Sequence, residues 1–133
     1  MIEITNYNTI RNFSLEEAQS LLPLVYRLTE DTAKQTKYLL LCINALPDKK
    51  SPRVLEIQEQ INLLIDKWQN KIQRLGAKPK GMWLADFDNG QGYYCWKFPE
   101  VKILFKHDYQ DGFTGRILIS SNEESNENCP CPN

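Results

Sequence analysis

Tyr93-Tyr94-Cys95-Trp96-Lys97-Phe98-Pro99-Glu100-Val101-Lys102-Ile103-Leu104-Phe105-Lys106-His107 carries large apolar side chains at alternate positions on both sides of a proline. Side chains two apart share one face of a strand. The run therefore reads as two strands, about 93–98 and 101–107, joined by a two-residue turn at Pro99-Glu100. That turn pairs Phe98 with Val101, Trp96 with Ile103 and Tyr94 with Phe105, and leaves His107 at the end of the same face. A face so rich in large apolar groups belongs in a core.

The pattern extends in both directions. Asn89-Gly90 leads back to a strand over about 82–87, and Asp111-Gly112 leads on to one over about 113–119. Connections this short force an antiparallel meander. Pairing Phe113 with His107 sets Phe105 against Gly115 and Ile103 against Ile117, and Trp83, Ala85 and Phe87 join the same apolar face. The opposite face is mixed, with Asp86, Cys95, Leu104 and Arg116 in one row across the sheet and Lys97 opposite Lys102. At ~4.8 Å per strand, Asp86 and Arg116 are about 14 Å apart in this register.

Upstream the period changes to that of a helix. Ser14-Leu15-Glu16-Glu17 is a capping box, worth on the order of 1 kcal/mol. Leu15, Ala18, Leu22, Val25, Leu28, Thr32, Leu39, Ile43 and Leu46 follow at helical spacing. Pro23 interrupts them at ~3 kcal/mol in a regular helix, so the expectation is a kink or a short first helix. After the turn at Asp48–Pro52, Ser51 caps and Pro52 opens a second helix whose face is Val54, Ile57, Ile61, Leu64, Trp68, Ile72 and Leu75. Gly76 closes it.

The fold class is α+β: a long antiparallel helical hairpin, about 14–75, packed on a four-stranded antiparallel β-meander, about 82–119. Residues 1–119 form one domain, and 120–133 form a disordered acidic tail rich in Ser, Asn and Glu. At roughly 45–50 Å the first helix is long for such a domain, so the far end of the hairpin projects.

The chain has 133 residues, with 16 basic and 17 acidic side chains. This balance excludes a globally basic nucleic-acid binder. No run approaches the roughly 18 apolar residues of a membrane span, and the amino terminus lacks a signal-peptide pattern. The expected location is cytoplasmic, with no membrane association. In that reducing compartment the four cysteines, Cys42, Cys95, Cys129 and Cys131, read as free thiols.

Asn12-Phe13-Ser14-Leu15-Glu16-Glu17-Ala18, leading to Leu21-Leu22-Pro23, resembles the start of a prokaryotic family named domain of unknown function 2203. Leu84-Ala85-Asp86-Phe87, Tyr94-Cys95-Trp96, Glu100, His107 and Gly112-Phe113-Thr114-Gly115-Arg116 follow that family's order over about residues 11–119. Pro99, Lys106 and Asp108 depart from its usual glycine, tryptophan and glutamate. The resemblance implies a small soluble protein and brings no activity or cofactor.

His107 is the only histidine, so any histidine chemistry must use it. Asp108, Asp111, Arg116, Asp86, Cys95 and Glu100 complete the candidate polar set. In this register Cys95 and His107 occupy opposite faces, and Glu100 lies roughly 20–23 Å from His107 along one strand. Neither pair makes a site, no metal ligand set converges, and no motif names a cofactor. Lys97, Lys102, Lys106 and Arg116 around Tyr93 form a candidate basic patch for single-stranded nucleic acid, a partner that the acidic tail disfavours. A second basic cluster, Lys67, Lys71, Arg74, Lys78 and Lys80, lies at the end of the second helix, where the helix dipole favours cations. The chain reads as a non-enzymatic interaction module forming homo-oligomers, dimers in the simplest case. The rival is a metal- or ligand-binding enzyme centred on His107.

Overall fold

The computed structural model describes residues 12–120. The amino-terminal lead-in through residue 11 and the tail from 121, with Cys129 and Cys131, lie outside the described residues. Two helices precede a five-stranded antiparallel sheet: α1 Leu15–Ala45, α2 Pro52–Arg74, β1 Lys78–Lys80, β2 Leu84–Asp88, β3 Tyr93–Lys97, β4 Phe105–His107 and β5 Ile117–Leu118, in sequential order. No described helix is long and apolar enough to cross a membrane.

The predicted caps form. The Ser14 N–H donates to Glu17 Oε1 at 2.9 Å and the Glu17 N–H donates to Ser14 Oγ at 3.0 Å. Pro23 does not divide the helix; α1 runs through it for 31 residues. Ser51 Oγ accepts from the Arg53 N–H at 3.1 Å. At the other end of α2, Gly76 has φ +98°. The Gly76 N–H reaches the Gln73 carbonyl and the Ala77 N–H the Ile72 carbonyl, a Schellman ending. The helices are antiparallel: Trp68 Nε1 donates to Thr29 Oγ1 at 2.8 Å, joining positions equally far from the connecting turn.

The hairpin meets the sheet only at its root. Leu15, Ala18, Leu22 and Val25 of α1 and Trp68 and Ile72 of α2 share one core with Ala85, Phe87, Tyr94 and Trp96. Thr36, Val54, Ile57 and Ile61 are buried outside that cluster, along the projecting part.

The sheet differs from the expected meander in three ways. First, a fifth strand exists: Lys78-Pro79-Lys80 pairs with Leu84–Asp86. Being short, charged and proline-bearing, it has the character of an edge strand. Trp83, expected in β2, instead sits in the turn before it with φ +68° and packs edge-on against Trp68.

Second, residues 101–104 are not in a strand. The turn after β3 closes with Glu100 N–H on the Lys97 carbonyl. Ile103 is held by a helix: the Gln19 amide accepts from its N–H and donates to its carbonyl, both at 3.0 Å. The connection from Lys97 to Phe105 is therefore longer than a hairpin turn, and it moves the pairing by one residue. Cys95 faces Phe105 and Tyr93 faces His107; the expected partner of Phe105 was Tyr94. A one-residue slip turns every β4 side chain to the other face.

Third, the segment expected as a strand over 113–119 begins as a 3₁₀ turn, Phe113–Gly115. Only Ile117 and Leu118 pair, with Lys106 and Phe105. Between β2 and β3 the expected register holds, with Asp86 opposite Cys95 and Ala85 opposite Trp96.

Candidate functional site

The shifted register gathers what the sequence reading had separated. Asp86 from β2, Cys95 from β3 and His107 from β4 lie on the sheet face turned away from the helices, and all three are buried. One ligand atom from each, a carboxylate oxygen, the thiol sulfur and an imidazole nitrogen, lie within 4.8 Å of one another. His107 Nε2 is 3.2 Å from Asp86 Oδ2. The expectations that Cys95 and His107 point apart and that no ligand set converges are therefore corrected.

The imidazole orientation is set from its other side. His107 Nδ1 is 2.8 Å from the Asp108 backbone carbonyl. A carbonyl oxygen only accepts, so Nδ1 is the donor there and Nε2 is the atom offered to Asp86. A nucleophile–base–carboxylate triad puts the carboxylate on one ring nitrogen and the nucleophile on the other; here the Asp108 carbonyl takes that other nitrogen, so no triad forms.

Burial pushes the Cys95 thiol up to about 12; the Asp86 charge acts the same way and Arg116 offsets part of it. At neutral pH the metal-free thiol stays protonated, unlike a reactive cysteine.

The loop after β4 roofs this face. Tyr93 packs on His107, and Tyr109 packs edge-on against Tyr93 at 5.1 Å. The Tyr109 hydroxyl donates to Asp88 Oδ1 at 2.7 Å, which with burial and the Asp88 charge raises its pKa. Arg116 lies between two rings, 4.0 Å from the centroid of Phe105 and 4.2 Å from that of Phe113. Its guanidinium grips Glu100 through two bonds of 3.1 and 2.7 Å. Burial opposes the Arg116 charge, but the Glu100 pair outweighs it and the pKa rises.

The remaining candidates divide. Glu100, expected far from the site along a strand, reaches it through Arg116, because the turn folds back. Asp108 contributes its carbonyl, and its side chain is exposed. Asp111 borders, with His107, Lys106 and Gly115, a separate polar cleft of about 370 Å³. The basic patch does not assemble. Lys106 pairs with Tyr94 and so lies on the face opposite to Lys97, while Lys102 belongs to the unpaired segment and Arg116 is engaged by Glu100. Tyr93, expected as a stacking platform, is buried, with Lys78 and Lys80 against its ring.

Tyr109, Phe113 and Asp88 were not foreseen as the roof of a site. One signal was present in the sequence. The row containing Asp86 and Cys95 gave a carboxylate no partner within reach, and a one-residue shift would have supplied His107.

The chain belongs to the family described as Uncharacterized conserved protein (DUF2203), whose sequence profile matches residues 11–119. No curated protein and no solved structure matches it.

Proposed function

We propose that this protein binds one divalent transition-metal ion through Asp86, Cys95 and His107. The observation that carries the reading is the convergence of an oxygen, a sulfur and a nitrogen donor in a buried place. In a tetrahedral zinc site with nitrogen and oxygen bonds of about 2.0–2.1 Å, neighbouring donors are ~3.3 Å apart. His107 Nε2 and Asp86 Oδ2 are 3.2 Å apart. The backbone carbonyl on Nδ1 is the outer-shell partner that ligating histidines usually have. Charge supports a divalent ion, since a carboxylate and a thiolate balance two positive charges and Glu100 balances Arg116. Three protein ligands leave a fourth position for water or a small ligand, as in catalytic rather than structural zinc sites.

Elemental analysis of protein purified without a histidine tag, followed by zinc and cobalt titration of chelator-treated protein, tests this. One equivalent bound, and lost in Cys95→Ser and His107→Gln, is expected. A folded wild-type chain that takes up neither metal overturns the reading.

A second reading, an interaction module that forms homo-oligomers, is favoured by the free end of the hairpin. Tyr38, Leu41 and Leu63 there are 66%, 57% and 58% exposed. Tyr38, Leu39, Leu63 and Leu64 line an apolar groove of about 660 Å³ between the helices. Self-association would cover them. Light scattering on the full chain is expected to give a dimer mass that Leu63→Glu reduces to the monomer; a strict monomer at high concentration removes this reading. Cytoplasmic residence accords with the free thiols of Cys42 and Cys95.

A further inference from the structure

We infer that Glu100 and Arg116 form an outer shell that positions the Cys95 sulfur for the metal. The inference rests on the metal-binding reading and assigns a role to two groups that supply no ligand atom.

The geometry of Arg116 is over-determined. Two rings hold the guanidinium plane, Phe105 and Phe113 at 4.0 and 4.2 Å. Two parallel hydrogen bonds to the Glu100 carboxylate fix its rotation within that plane. Glu100 is itself anchored, because its Oε1 also accepts from the Lys97 N–H at 2.9 Å. A surface ion pair needs none of this. Its side chains are mostly covered, 14% and 21% exposed, so the arrangement has a desolvation cost that an exposed pair avoids.

The clamp holds the guanidinium next to the ligand set. Phe105, on which Arg116 stacks, is the residue directly opposite Cys95 in the neighbouring strand. Arg116 therefore lies beside Cys95, where its positive charge favours the thiolate. A metal-bound thiolate carries negative charge in a place with little water. A fixed guanidinium beside the sulfur stabilises that charge, as outer-shell partners do for other ligands. Glu100 keeps the guanidinium from turning away and keeps the total charge of the loaded site at zero. Lysine cannot replace arginine here, since it offers neither the planar fork nor the stack.

The test is cobalt and zinc titration of the full chain with Glu100→Gln and Arg116→Lys, beside Phe113→Leu as a milder change at an exposed ring. Affinity should fall about 10–100-fold in the first two. The thiolate-to-cobalt charge-transfer band should shift in energy, which a purely structural role would not cause. Phe113→Leu should shift both in the same direction by less. Wild-type affinity and an unmoved band in the folded variants overturn the outer-shell role and leave the metal site standing. A wild-type chain that binds no metal removes both. Should the first two variants not fold, Phe113→Leu decides, and an unchanged band there counts against the role.

Discussion

Asp86 and His107 meet at 3.2 Å although they belong to β2 and β4, strands that do not touch. Strands two apart in a sheet are separated by ~9.6 Å. The two side chains reach toward each other over β3, which places Cys95 under their contact. Both side chains are almost fully covered, His107 at 3% and Asp86 at 5% exposure. The consequences can be measured.

Removing one member strands the other. His107→Ala leaves a buried carboxylate without its imidazole partner, and stranding a buried polar group costs about 1–3 kcal/mol. Urea unfolding of the metal-free protein should show that loss. Asp86→Asn combined with His107→Gln should cost less than the two single changes summed, because the pair is coupled.

Cys95 should be slow toward alkylating reagents. With its folded thiol at about 12 against an ordinary 9, a variant with the other three cysteines replaced by serine should react at pH 9 far more slowly when native than when unfolded. The sign for stability follows from the same shift. The fold favours the neutral thiol, so its contribution is intact below pH 9 and declines as pH rises toward 12. Rapid native alkylation at pH 8 would contradict this environment.

Thr29→Val should destabilise the hairpin root. The Thr29 hydroxyl donates to the Val25 carbonyl and accepts from Trp68 Nε1, both at 2.8 Å in the buried interior. Valine keeps the shape and orphans the indole N–H, at about 1–3 kcal/mol. Thr29→Ser, which keeps the hydroxyl, should recover most of that in the same denaturation assay.

Gly92→Ala should damage the site without touching a ligand. A Cβ at Gly92 would come within 2.6 Å of the His107 carbonyl oxygen, a backbone atom that cannot step aside alone. Relief requires β3 and β4 to separate where His107 is positioned. A lower melting temperature together with weaker cobalt binding is expected; unaltered binding would show that β4 can shift freely.

Much of this molecule was legible from local chemistry. The capping box at Ser14, Ser51 with Pro52, and Gly76 act within a few residues of themselves, so sequence spacing is enough to find them. The two-fold alternation over 84–88 and 93–97 identified β2 and β3, and their short link through Asn89-Gly90 fixed Asp86 opposite Cys95. The same patterns yielded the right class, helices followed by an antiparallel sheet.

Beyond residue 98 local rules were not sufficient. Pro99-Glu100 looks like a two-residue turn, and whether Val101–Leu104 pairs with β3 or leaves it depends on Gln19, 84 positions away, whose amide takes both backbone groups of Ile103. Alternation has a period of two, so it states which side chains share a face and not which face that is. A single residue of slack in one connection inverts the answer. The amino-acid order determined the helical hairpin, the strands on either side of Asn89-Gly90 and the identity of every polar group in the site. Tertiary structure alone decided that Asp86, Cys95 and His107 meet, because the parity of a strand pairing is set by what holds the loop between the strands.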